Sequence, residues 1–235
     1  MRLLTRDTAV GSGLLAINRR QARDYAEVMA VCGFFVRGRR VPVGWNPGGE
    51  HRAVAGWDLV LVAPRTLSVL AYDLTGRALA DLKRGRGGGA HAAVLLEGHQ
   101  RIAAAHHDAV RVAVGQFTEA AHIPPPWQAC HPLDSARRPL LHTHVVFGAL
   151  TEGGRRLPLD PERLRTLAAR AIGSYHRRLR DQTSSVVGGY GPWGPAGPDG
   201  SAELLGLPTG LLAAPSGPCR PLWQVAACAR AVGDL

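Results

Sequence analysis

The chain has 235 residues, 46% of them hydrophobic, and a formal net charge of +10 from 28 lysines and arginines against 18 acidic residues. Such a length and apolar content allow one large domain with a real core and exclude wholesale disorder. No signal peptide or long apolar span is visible, and Cys32, Cys130, Cys219 and Cys228 show no CxxC spacing, so the expectation is a cytoplasmic protein with reduced thiols and no membrane partner.

The positive charge is almost all arginine, the side chain best shaped for bidentate contact with phosphate. A nucleic-acid partner is one reading of that excess. A GC-rich coding sequence is the other, since it enriches arginine and alanine without reference to function.

In chain order, a short apolar start (Leu3, Leu4) is followed by Gly11-Ser12-Gly13 and then Leu14, Leu15 and Ile17. Asn18 is placed to cap a helix running from Arg19 through Tyr25 to Met29. Residues 33–56 are rich in glycine, arginine and proline, with Arg37, Arg39 and Arg40 interleaved with Phe34, Phe35 and Trp45. Single-stranded DNA binders use that mixture to hold backbone and stack bases. An ordinary solvated loop over buried aromatics accounts for it equally well.

Trp57 to Ala63 reads as a strand stopped by Pro64, and Arg65 to Leu70 opens a helix. Asp58 lies inside that apolar strand, where a lone carboxylate is costly and needs a partner. Lys83 to Gly89 is a basic, glycine-rich turn without the Lys-Ser/Thr ending of a nucleotide-binding loop. Ala90 to about Ala121 is a long alanine-rich helix, on which His91, His99, His106 and His107 read as surface or packing residues. Pro124-Pro-Pro126 ends it.

The stretch Cys130 to Leu150, CHPLDSARRPLLHTHVVFGAL, carries the chemistry. Leu140, Leu141, Val145, Val146 and Phe147 form strands readily, so His142 and His144 sit two apart on a strand and share a face. Pro132, Asp134, Ser135 and Pro139 are turn formers. A hairpin there folds His131 back against the pair, and three imidazoles around one point suit a divalent metal with an open coordination position. Two polar residues facing solvent are the plainer reading of a His-X-His strand, and the third histidine at hairpin distance tips the balance. Cys130 could be a soft ligand, but neighbours on a strand face opposite sides, so it is expected in the core.

Glu152 to Arg156 makes a turn, and Pro158 to Arg180 is an amphipathic helix bearing Arg163, Arg165, Arg170, Arg177, Arg178 and Arg180. Tyr175 lies on it. Residues 188–208 are irregular apart from a short strand at Ala202 to Leu205, and Leu222 to Val232 is a short final helix.

The histidine spacing, ten residues and then a hydrophobic-flanked L-H-T-H-V-V, resembles the three-histidine motif of conjugative relaxases of the MobF (TrwC/TraI) type, members of the HUH endonuclease superfamily. Trp57 to Leu70 is similar to the family's G-L-D-L-T-F-S-x-P-K-S-V-S element, and Ala105 to Val110 to its A-H-D-x-A-V stretch. Asp24-Tyr25 resembles the family's D-Y-Y segment, with Ala26 in place of the second tyrosine. Val60 and Val62 replace polar residues of the family strand, and Arg65 replaces its lysine.

The resemblance covers about residues 10–208 and implies an α+β fold, the HUH relaxase-like central antiparallel sheet flanked by helices. Residues 1–208 would form the domain and 209–235 a short linker and helix. The implied activity is metal-dependent nicking and religation of single-stranded DNA in plasmid or mobile-element transfer. In it His131, His142 and His144 hold Mg²⁺ or Mn²⁺ (Zn²⁺ or Ni²⁺ also suit the donors), Asp58 steadies one histidine, and Tyr25 is the nucleophile. Arg37, Arg39, Arg40 and Arg65 would bind the nucleic acid, and a separate helicase or coupling protein would supply what the short form omits. Packing on a helix is the alternative role for Tyr25. For Tyr175 the resemblance implies a structural role. Two other functions stay open: a three-histidine metalloenzyme acting on a small molecule, and a DNA-binding remnant without chemistry.

Overall fold

The computed structural model describes residues 11–18, 35–36, 39–40, 54–85, 88–123, 126–134, 138–148 and 160–212. Two compact units interleave along the chain. The first takes Met1–Val62, Val110–His131 and His142–Tyr175, and the second Ala63–Ala109, Pro132–Leu141 and His176–Leu235. Tyr25 and Arg37, the capped helix after Asn18 and the helix at Leu222 to Val232 lie outside the described residues.

The strands are β1 (Gly13–Asn18), β2 (Phe35–Val36), β3 (Arg39–Arg40), β4 (Val54–Val62), β5 (Trp127–Leu133) and β6 (Pro139–Gly148). The helices are α1 (Arg65–Arg84), α2 (Gly88–Ala121), α3 (Pro161–Val187) and the one-turn α4 (Thr209–Leu212). A four-stranded antiparallel sheet has the order β1-β4-β6-β5, and β2 pairs with β3 separately. The fold is thus α+β, with β4 and β6 in the middle of the sheet where both faces can be covered. No helix among the described residues is long and apolar enough to cross a membrane.

In the first unit, Asp58 stands opposite Val146, Val60 opposite His144, and Val62 opposite His142. Because strand side chains alternate, this register sorts the two faces. Trp57, Leu59, Leu61, Thr143, Val145 and Phe147 share one face; Asp58, Val60, Val62, His142, His144 and Val146 share the other. The first face is core: Leu59, Leu61, Val145 and Phe147 are buried, and Phe147 meets Phe117 of α2 at 5.4 Å between ring centroids. Tyr175 of α3 is fully buried as well.

Two ends are closed by devices the sequence does not advertise. Ser12 Oγ accepts the Val62 N–H at 2.8 Å, completing the ladder where β1 has stopped at Gly13 opposite Val60. At the end of α2, the His122 N–H donates to the Glu119 carbonyl and the Ile123 N–H to the Thr118 carbonyl, with His122 at a φ of 52°. That is the bonding of a left-handed helix stop usually built on glycine.

The second unit is helical. Pro64 caps α1 without a side-chain bond, and Glu203 does the work from far along the chain. Its carboxylate accepts the Arg65 N–H at 3.1 Å, the Thr66 N–H at 2.8 Å and the Thr66 hydroxyl, while Thr66 Oγ1 accepts the Leu204 N–H at 2.8 Å. A carboxylate on the first free N–H groups of a helix is favoured by hydrogen bonding and by the helix dipole. The expected strand at Ala202 to Leu205 is reduced to a single bridge between Trp193 and Leu204. Pro192, Pro195 and Pro198 bring no N–H to a ladder, so it cannot lengthen.

Between α1 and α2 the chain reverses so tightly that a Cβ on Gly88 would fall 2.2 Å from the Asp81 carbonyl oxygen. There His91 Nδ1 lies 2.5 Å from Asp81 Oδ2, and His99 Nδ1 2.9 Å from the Ala71 carbonyl oxygen. Asp108 receives Arg178 Nε–H at 2.6 Å and Gln182 Nε2–H at 2.7 Å. The histidines of α2 therefore serve helix packing or, as with the exposed His107, face solvent. The helix α3 starts three residues later than expected and runs seven further, to Val187, since nothing after Arg180 breaks it before Gly188.

Candidate metal centre

All four residues singled out for metal chemistry, His131, His142, His144 and Asp58, belong to the first unit. His142 and His144 come from β6, with one residue, Thr143, between these same-face positions, and the sheet buries both rings. His131 comes from β5, whose burial alternates residue by residue, with His131 on the less exposed side. The turn joining the strands is closed by Asp134: its N–H donates to the Arg138 carbonyl at 3.0 Å, and its carboxylate accepts the Arg138 N–H at 2.8 Å and Nε–H at 2.6 Å.

The three rings are gathered. Their centroids are 5.4 Å apart for His131 and His142, 5.7 Å for His131 and His144, and 5.1 Å for His142 and His144. As they stand, no three His, Cys, Asp or Glu side chains among the described residues form a complete metal-binding set. His131 lies against His142 at 28° between planes, while His144 stands edge-on to both at 79° and 73°.

Asp58 sits behind this group. Its Oδ2 is 2.7 Å from His144 Nδ1, with both side chains almost wholly buried. The register explains the contact. Asp58 is directly opposite Val146, and His144 is the same-face neighbour one step along, the diagonal reach of a sheet. A carboxylate that accepts a hydrogen bond from Nδ1–H leaves Nε2 with its lone pair free to act as a ligand and strengthens it as a donor to metal.

His131 adds a second sign that the donors suit a cation. Its Nε2 is buried without a hydrogen-bond partner among the described residues. Burial above all, with the neighbouring His144 adding to it and Asp58 opposing it, holds its pKa below the ordinary histidine value. The ring is therefore neutral at pH 7, the form that binds metal.

Cys130 is exposed rather than in the core. The alternation was read correctly, but β5 is the last of the described strands in the sheet order, so its other face is less covered than that of a central strand. Arg39 and Arg40 lie on β3, and Arg65 is an exposed residue at the start of α1 in the second unit, its N–H held by Glu203. Tyr175 is fully buried, and burial pushes its hydroxyl well above its ordinary pKa, with Cys130 adding to the shift.

The contacts of Ser12 and Ser68 are not foreseen from sequence, although Ser12 stands in Gly11-Ser12-Gly13, a break before an apolar run, and Ser68 at the last serine of the family element.

No protein-family model matches the chain, and none of the curated proteins is similar to it in sequence. Solved structures are more informative. The chain is similar to the conjugative relaxase TrwC in complex with oriT DNA in a metal-free structure, at 17% identity and a TM-score of 0.52 over 83% of this chain and 74% of that one. The complex of TrwC with mutant oriT DNA gives 18% identity and a TM-score of 0.51 over the same shares. The fold is that of the TrwC relaxase. A metal-bound TrwC–oriT complex is similar at 16% identity and a TM-score of 0.50.

Proposed function

We propose that the chain is a metal-dependent relaxase that nicks and religates single-stranded DNA. His131, His142 and His144 would hold the metal, Asp58 would orient His144, and Tyr25 would be the nucleophile. The observation that carries this reading is the gathering of three imidazoles, one backed by a buried carboxylate, on a sheet with the TrwC fold. TrwC itself has been solved with oriT DNA and in a metal-bound form.

When bound, a divalent metal polarises the scissile phosphate and offsets the charge that builds on it. The residues do the rest. Asp58 fixes the His144 tautomer, and the buried surroundings of His131 keep it neutral. The Tyr25 hydroxyl would give up its proton to solvent as its oxygen attacks phosphorus, forming a P–O bond as the bond to the 3′ oxygen breaks. That oxygen leaves as a hydroxyl after taking a proton, and the 5′-phosphotyrosine keeps the bond energy for religation. Arg37, Arg39, Arg40 and Arg65 would neutralise backbone phosphates, each weakening with salt. Imidazole donors suit Mn²⁺, Zn²⁺ or Ni²⁺ better than Mg²⁺, which prefers oxygen. Residues 1–208 would form the working domain, in the cytoplasm, with single-stranded DNA as its partner.

The test is incubation with a library of single-stranded oligonucleotides and Mn²⁺, with mass spectrometry for a covalent Tyr25 adduct. His142→Ala is expected to lower cleavage by more than about 100-fold, since loss of a direct ligand should cost at least as much as loss of an outer partner. Cleavage by that variant at the ordinary rate would end the metal reading.

One observation favours a second reading, a metalloenzyme for a small molecule. Val60 and Val62, buried and opposite His144 and His142, make the strand beside the histidines dry. Tight metal uptake with no oligonucleotide cut would support it.

A further inference from the structure

We infer that Ser68 is a positioning residue for His142, a role that rests on the metal reading of the histidine site. The β4–β6 ladder runs out at Val62 opposite His142. One residue on, the Ala63 N–H still donates to the Leu141 carbonyl at 2.9 Å. Pro64 then turns the chain into α1, with φ −48° and ψ 140°, and the strand that would have accepted the Leu141 N–H is gone.

Ser68 takes its place. Its Oγ accepts the Leu141 N–H at 3.0 Å and donates to the Pro64 carbonyl at 3.1 Å. The side chain is buried, so water cannot replace it. Both backbone groups of Leu141 are therefore fixed, one by Ala63 and one by Ser68. Leu141 is bonded directly to His142, which lies nearer the end of the β4–β6 ladder than His144 does. His144 lies further inside the paired region and has its own contact with Asp58. Removing the hydroxyl should thus loosen His142 and spare His144.

Co²⁺ titrated into the full chain, by calorimetry and by visible absorption, is the test. Ser68→Ala is expected to bind Co²⁺ about tenfold more weakly, the lower end of what loss of an outer hydrogen-bond partner costs a metal site. Its thermal midpoint should stay within a few degrees of the parent, and Ser68→Thr, which keeps a hydroxyl, should recover most of the affinity. Measured on a His142→Ala background at high Co²⁺, Ser68→Ala should cost nothing further, because the residue it positions has gone. An unchanged affinity in Ser68→Ala, or an equal loss on both backgrounds, overturns the inference while leaving the metal site intact. Failure of the parent chain to take up Co²⁺ at all overturns the metal reading itself, and this role for Ser68 with it.

Discussion

Two histidine–aspartate pairs of similar length have opposite surroundings. His144 and Asp58 meet at 2.7 Å with relative exposures of 3% and 1%; His91 and Asp81 meet at 2.5 Å with exposures of 58% and 12%. The first joins two central strands and sits among two more imidazoles. The second ties the end of one helix to the start of the next, beside Arg84, which also reaches Asp81 at 3.3 Å. Distance alone does not separate them. Burial does: a pair kept from water has no substitute for its partner, whereas an exposed ring exchanges a carboxylate for solvent at little cost.

The sharpest way to break the comparison is Asp58→Ala, which leaves His144 buried without its carboxylate. Removing one partner of a buried pair costs on the order of 3 kcal/mol, so urea unfolding should show a large drop, with metal affinity falling about 10- to 100-fold. A smaller effect should come from acid. Burial depresses the pKa of His131, with His144 adding and Asp58 opposing. Burial also depresses that of His176, against the pull of Asp199 and Glu203. A ring with a depressed folded-state pKa takes up its proton more readily in the unfolded chain. Its contribution is full above the unfolded value of about 6.5 and is lost as pH falls below it. Metal-free protein should therefore lose stability between pH 7 and pH 5, as followed by denaturant midpoints, and a flat profile would show that these rings titrate alike folded and unfolded. The smallest effect should be His91→Ala, no more than about 0.5 kcal/mol, with no change in metal uptake. A loss as large as that of Asp58→Ala would erase the distinction between the pairs.

What the sequence made legible is what periodicity and spacing encode. His142 and His144 share a face because strands alternate, and the proline- and aspartate-marked turn brought His131 to them. Asp58 drew notice as a charge inside an apolar strand. The long helix after Gly88 followed from its alanine content. Contacts between distant parts of the chain left no such mark. Glu203 holds the start of α1 from 137 and 138 residues away, and nothing near either end announces it. Ser68 stands at the last serine of the family element, but nothing near it in sequence tells that it meets Leu141. Cys130 was misplaced for a related reason: alternation says which side a residue faces but not whether anything covers that side. The ring planes of the histidines, too, depend on side-chain packing that no spacing rule contains.

The bend between α1 and α2 carries a practical lesson for anyone editing this chain. Residues 87–89 are three glycines in a row, the sort of stretch usually chosen for fusing a tag or splicing in a spacer. Gly89 has open space around its α-carbon and accepts a side chain, whereas Gly88 is wedged against the Asp81 carbonyl. An insertion that displaces Gly88 would pry the two helices apart, so the splice belongs elsewhere.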